Sequence, residues 1–220
     1  MPAPPPSRPP RPPTAPVELV PVDRSHRAVL ENLGQLYRHD LSEAYGHLPN
    51  PDGTFNNRRL DLFLAGADPE HRAWLITVAG RLGGFVMTAP DERGEQAEPG
   101  GPGERGGTSV SDFFVVRSLR RTGVGREAAR QAIALFPGWW SIGFQSYSPG
   151  VQRFWSRVAT DVAGDQWTTY DGPPVAGRPP DSWIVFRTWL GIPWSGVVKR
   201  RLAGRGGVPR RCARRSGCWS

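Results

Sequence analysis

Apolar residues recur along this chain at two periods, and the alternation between them predicts a mixed α/β domain. The run Val17 to Val22, VELVPV, alternates as a half-buried strand does, and Asp23 or Ser25 stands where a helix cap is needed. A helix follows over Ser25 to Tyr37, because Val29, Leu30, Leu33, Leu36 and Tyr37 repeat at spacings of three and four and so share one face. From His39 to Ala67 the pattern is mixed, with a second short helix near Leu41 to Tyr45 and a turn at Asn50-Pro51-Asp52-Gly53. Ala73 to Val78 and Leu82 to Thr88 are strands joined by Ala79-Gly80-Arg81, a hairpin connection. Val110 to Val116 is apolar on both faces except for Asp112, as a central strand would be.

Downstream, Gly125 to Phe136 places Ala129, Ala132, Ile133 and Phe136 on one helical face, and Pro137-Gly138 ends it. Trp139 to Phe144 is a further strand. Ser148-Pro149 then reads as an N-cap followed by proline at the first helical position, opening a helix that carries Val151, Phe154, Trp155 and Val158. Trp167 to Tyr170 and Ser182 to Trp189 complete the strands.

Composition sets the boundaries of this domain. The opening sixteen residues, MPAPPPSRPPRPPTAP, lack an apolar core segment and read as a solvated arm, not a signal peptide. Residues 90 to 108 are polar and glycine-rich, a flexible surface loop inside one domain that spans 17 to 189. The formal charge of +8 is carried by residues 190 to 220, which hold eight basic residues and no acid, so the body is near neutral and nucleic acid is an expected partner only through that tail. No apolar run is long enough to span a membrane, which predicts a soluble, cytoplasmic protein. The only cysteines, Cys212 and Cys218, lie in the tail, and no metal site is expected.

The segment that carries chemistry is FFVVRSLRRTGVGREAA, Phe113 to Ala129, where a buried strand turns through Arg120-Arg121-Thr122-Gly123-Val124-Gly125 into a helix. Glycines let the backbone approach a ligand closely, and the helix start offers unpaired N–H groups at its positive end. Arg120, Arg121 and Arg126 flank the turn and suit an anionic group such as a pyrophosphate. A P-loop would need Gly-Lys followed by Ser or Thr, which is absent. A dinucleotide fold would place an acid about 20 residues on, where this chain has Gln145.

The Arg120-x-x-Gly123-x-Gly125 turn after a hydrophobic strand resembles the acetyl-CoA signature of the GNAT superfamily. LFPGWWSIGFQSYSPGVQRFWSRV, Leu135 to Val158, is similar to the strand and helix that follow it in bacterial members. The resemblance covers about residues 17 to 189. It implies a mostly antiparallel mixed sheet, flanked by helices and splayed between strands four and five, with acetyl-CoA in the gap. Cofactor contacts are then expected from Phe114, Val115 and Val116, from Arg120, Arg121, Thr122, Gly123, Val124, Gly125 and Arg126, and from Ser148, Phe154 and Trp155.

Two departures from the family pattern bear on catalysis. Ser148 stands where many members have asparagine. Trp155 stands where a tyrosine often serves as acid, leaving Tyr147 as a weak substitute. The base that deprotonates the amine is expected to be Asp112, unless that residue marks a bulge or faces solvent. His39, Glu43 and His47 are candidates for the acceptor pocket or are ordinary surface groups. The implied activity is acetyl transfer to a primary amine, with a CoA- or RNA-binding module as the alternative. Small amines, antibiotics and protein amino groups all remain open as acceptors.

Overall fold

Strand alternation and helical periodicity resolve into eleven elements in the computed structural model, which describes residues 15–57, 59–64, 70–91, 107–146, 148–172 and 180–189. In chain order they are β1 (Val17–Pro21), α1 (Arg27–Tyr45), α2 (Leu60–Phe63), β2 (Arg72–Val78), β3 (Arg81–Pro90), β4 (Thr108–Val115), α3 (Val124–Ala134), β5 (Gly138–Gln145), α4 (Pro149–Ala163), β6 (Trp167–Asp171) and β7 (Asp181–Thr188). The strands form one sheet in the order β1-β2-β3-β4-β5-β7-β6. Every neighbouring pair is antiparallel except β4 and β5, which run parallel.

Both faces of the sheet are covered, as a sheet with central apolar strands requires. On one face Ala129, Ala132 and Ile133 of α3 and Trp155, Val158 and Ala159 of α4 pack against Trp140, Ile142, Phe144, Ile184 and Phe186. On the other, Leu30 and Leu33 of α1 and Leu60 and Phe63 of α2 pack against Leu75, Phe85, Met87 and Phe114. Side chains of this size each contribute about 1.5–3 kcal/mol on full burial, so the two layers fix the sheet between them.

One difference from the sequence pattern concerns α1. The two helices expected over Ser25 to Tyr37 and near Leu41 to Tyr45 are a single helix, preceded by a 3-10 turn at Arg24–His26 that Asp23 caps through the Ser25 N–H at 2.8 Å. No glycine or proline interrupts residues 38 to 45, and the helix stops only at Gly46, which has φ of 66° and bonds back to the Ser42 carbonyl. The apolar stripe fades after Tyr37 because the inward positions there meet polar partners. The turn at Asn50–Gly53 closes as expected, with the Gly53 N–H on the Asn50 carbonyl at 2.9 Å. The arm up to residue 14, most of the 90–108 loop and the basic tail lie outside the described residues.

Candidate active site in the opening of the sheet

Strands β4 and β5 pair only along Thr108 to Val110 with Trp140 to Ile142. Both continue beyond that register, to Val115 and Gln145, so the sheet opens between them. The opening starts where β4 carries an extra residue: Met87 pairs with Asp112 and Thr88 with Val110, which leaves Ser111 as a bulge. A bulge bends its strand and increases its twist, turning β4 away from β5.

Register decides which backbone groups face the opening. In an antiparallel ladder, hydrogen-bonded and outward residues alternate. The Val116 N–H donates to the Gly83 carbonyl at 2.9 Å, so Phe114 and Asp112 share its bonded side, and Phe113 and Val115 turn their N–H and C=O groups toward the gap. Of the three expected positions Phe114, Val115 and Val116, the register therefore gives the gap to Val115 and adds Phe113. The Phe114 ring lies on the α1 side, 6.1 Å from Tyr37, whereas Val115 packs with Val124 and Ala128 of α3.

The turn after β4 is built from two left-handed residues, Arg121 with φ of 64° and Gly123 with φ of 94°. The second is the glycine that the conformation calls for. Gly123 caps α3 without any side-chain bond, so the first N–H groups of that helix remain as donors at its positive end. Thr122 closes the turn through Oγ1 on the Leu119 carbonyl at 2.6 Å. A Cβ on Gly125 would meet the Phe154 ring at 3.4 Å and Val115 at 3.5 Å, so this glycine brings α3, α4 and the end of β4 together.

The three arginines separate. Arg120 donates its Nε to the Val115 carbonyl at 2.7 Å and pairs with Asp40 of α1, which also binds Arg117 at 2.6 Å. Burial alone would raise the Asp40 carboxyl, but its bonds from Arg120 and Arg117 outweigh that and hold it below the usual carboxylate range. Arg126 pairs with Asp161 of α4 through both nitrogens. Arg121 is exposed and has no ion pair among the described residues. The turn thus offers an anion backbone donors and one unpaired guanidinium, with Arg120 and Arg126 serving mainly to lock neighbouring elements.

On α4, Ser148 is the N-cap with Pro149 at the helix start, and its side chain makes no capping bond. Phe154 meets the Phe113 ring tilted at 5.7 Å and Trp155 meets it edge-on at 5.3 Å, and Trp155 is 5% exposed. Trp155 is a packing residue. Tyr147 lies outside the described residues.

Asp112 is both the bulge neighbour and a buried acid. Its carboxylate accepts from Ser111 Oγ at 3.0 Å and stands 3.9 Å from Arg38. Burial raises its pKa, partly opposed by Arg38, Ser111 and a hydrogen bond from Tyr37. The Tyr37 hydroxyl is itself pushed well up, first by burial and then by the Asp112 charge. Farther along α1, Tyr45 receives a hydrogen bond from Gln145 of β5 at 2.5 Å, so this helix reaches from β4 to β5 across the opening. The apolar periodicity alone puts Tyr37 in the core and Tyr45 at a helix end; their hydroxyls are the signal that these faces are polar. His39, Glu43 and His47 are exposed, with His39 edge-on to Phe55 and His47 stacked on Tyr45. Among the described residues no group of His, Cys, Asp or Glu gathers that could hold a metal ion, and no helix is long and apolar enough to cross a membrane.

No protein-family model matches the sequence, and no curated protein is significantly similar to it. Solved structures do match in fold. An acetyltransferase from Thermus thermophilus superposes with a TM-score of 0.55 at 16% identity, over 78% of this chain and 96% of that one. An aminoglycoside N(6')-acetyltransferase from Legionella pneumophila gives 0.53 at 13%, over 78% and 91%. Arabidopsis thaliana NAA60, solved with a bisubstrate analogue, gives 0.52 at 15%, over 79% and 98%. With its seven-stranded sheet and single parallel pair, the chain superposes on these structures and has the fold of the GNAT acetyltransferases.

Proposed function

We propose that this chain is an N-acetyltransferase that takes the acetyl group of acetyl-CoA and transfers it to a primary amine by direct attack within a ternary complex. The observation that carries the reading is the coincidence, at one opening in the sheet, of an uncapped helix start, two outward backbone positions and a buried carboxylate. The α3 N-terminus after Gly123 suits a pyrophosphate, and the exposed Arg121 adds a cation beside it. The outward N–H and C=O groups of Phe113 and the outward N–H of Val115, whose carbonyl already accepts from Arg120, suit the amides of an extended pantetheine arm. Acetyl-CoA, when bound, supplies the activated thioester.

The remaining steps belong to the protein's own groups. Asp112, buried and with a raised pKa, is suited to accept a proton from the incoming ammonium. A backbone N–H fixed at the rim of the gap, that of Val115 foremost, is a preorganised donor for negative charge developing on the acyl oxygen. α1 closes the gap from the acceptor side through Tyr37, Arg38 and Tyr45 and limits the entry of water. With Trp155 buried as an indole, thiolate departure proceeds unassisted or through Tyr147; a thiol of ordinary pKa near 8.5 is an adequate leaving group. That indole also favours the second reading, a CoA-binding module with little turnover.

Calorimetry with acetyl-CoA, followed by a panel of amines, tests the assignment. Gly123→Asp places a side chain and a negative charge on a residue with φ of 94° at the helix start. It is expected to weaken acetyl-CoA binding by at least 10-fold. A folded parent protein that binds no acetyl-CoA would overturn both readings. Binding without acetylation of any amine would leave the module.

A further inference from the structure

Three buried polar atoms on one face of β5 and β7 have no hydrogen-bond partner: the indole Nε1 of Trp139, the hydroxyl of Ser141 and the Nε of Arg187. Buried polar groups are ordinarily satisfied, so an orphan calls for an explanation, and three together call for one explanation. They are neighbours by register. Trp139 pairs directly with Arg187, whose guanidinium carbon lies 5.7 Å from the Trp139 ring and 4.0 Å from that of Trp189, and Ser141 is the next residue of β5 on the same face. Ser141 is fully buried, at 0% exposure. Two other indoles in the fold are bonded: Trp140 Nε1 donates to the Phe136 carbonyl at 2.8 Å and Trp167 Nε1 to Thr160 at 3.1 Å.

The face is the one beneath α1 and α2. Ser141 stands beside Ser109 of β4, Ser109 beside Ala89 of β3, and Ala89 packs in the layer beneath α1 and α2. Asp112 lies on this same side, two to three strand residues along β4 from Ser109, a span of roughly 7 to 10 Å. All three orphan groups donate hydrogen bonds, and Arg187, which forms no ion pair among the described residues, adds a positive charge. Donors without acceptors around a cation, flanked by two indole rings, select an anionic oxygen group.

Building on the proposed acetyl transfer, we propose that Trp139, Ser141 and Arg187 form an acceptor subsite that binds an anionic oxygen group, carboxylate or phosphate, carried several bonds from the amine that is acetylated. The indoles restrict the guanidinium to one plane, so a planar or tetrahedral oxyanion meets it edge-on while the Ser141 hydroxyl donates from the strand floor.

The test is direct binding, read by calorimetry and tryptophan fluorescence, of 6-aminohexanoate, 6-aminohexyl phosphate and the neutral 6-aminohexanamide. At least one anionic ligand is expected to bind 10-fold or more tightly than the amide, and which one does so identifies the oxyanion. Arg187→Gln should bring that preference to within about 2-fold, and Ser141→Ala should reduce it part of the way, with acetyl-CoA affinity unchanged in both. Equal binding of all three ligands by the parent protein overturns the subsite, as does a preference that survives in folded Arg187→Gln. Should Arg187→Gln fail to fold, Ser141→Ala and the ligand comparison on the parent decide. Acetyl-CoA binding measured on the same samples separates the two proposals: its absence with the anion preference intact sinks only the acetyltransferase reading.

Discussion

Asp112 shows how one residue can carry opposite signs for stability and for chemistry. Its pKa is raised above the ordinary 3.8, with burial as the leading cause. Between the unfolded value and the raised folded one, the native protein holds a proton that the unfolded chain has lost. Stability therefore falls as pH rises through that window, and the ionised, buried carboxylate is a cost above it. Asp112→Asn keeps the shape and an acceptor for Ser111 and Tyr37 but removes the charge. We expect its melting temperature at pH 7 to equal or exceed the parent's, with the advantage gone near pH 4. Turnover should fall by about 10²-fold, together with loss of the acidic limb of the pH–rate profile. A variant that melts lower than the parent only at pH 7 would mean that the Arg38 pair, at 3.9 Å, outweighs burial. The sequence made Asp112 visible as an acid in an apolar strand; it could not show Tyr37 and Arg38 closing over it, because that contact joins elements far apart in the chain.

At the scale of elements, what was legible is what local chemistry decides. The β2–β3 hairpin and the glycine turn into α3 follow from the access of Gly80 and Gly123 to positive φ, and the Ser148-Pro149 start of α4 from the fixed φ of proline. The ends of α1 and the existence of α2 were not legible, since α2 is four residues long and is set by the burial of Leu60 and Phe63 against the sheet. Gly84 is a sharper case. Its sequence context gives only a strand, yet a Cβ there would fall 2.0 Å from the Phe114 carbonyl oxygen on the neighbouring backbone. Neither strand can yield without disturbing the register that turns Phe113 and Val115 outward. Gly84→Ala is expected to cost more than about 2 kcal/mol, in the upper part of the usual range for overpacking a filled site. Denaturant melts would show it as a lower midpoint, and a change under about 0.5 kcal/mol would show that β3 and β4 separate easily at this point.

Across the whole molecule, the sheet consists of two blocks, β1 to β4 and β5 to β7, that share only the Thr108–Val110 register and the helices packed over both faces. Such an arrangement leaves hydrogen-bonding groups of a central strand unpaired, which a closed sheet would not tolerate. It is stable only because α3 and α4 brace one side and the Tyr45–Gln145 contact ties α1 to the second block on the other. The chain therefore holds an unfilled strand position. A ligand that supplies amide partners along β4 fills it and adds stability that grows with the logarithm of its concentration, about 2.7 kcal/mol at a hundredfold excess over the dissociation constant. For a domain of this size that corresponds to a rise of roughly 5–10 °C in melting temperature. Hydrogen exchange locates the effect. In the free protein the Phe113 and Val115 amides should exchange faster than those of Phe114 and Val116, which face β3; on adding acetyl-CoA the first pair should slow by 10-fold or more while the second changes little. If Phe113 and Val115 are already as protected as their neighbours without ligand, the gap is closed in solution, and the route by which acetyl-CoA would reach Asp112 is lost with it.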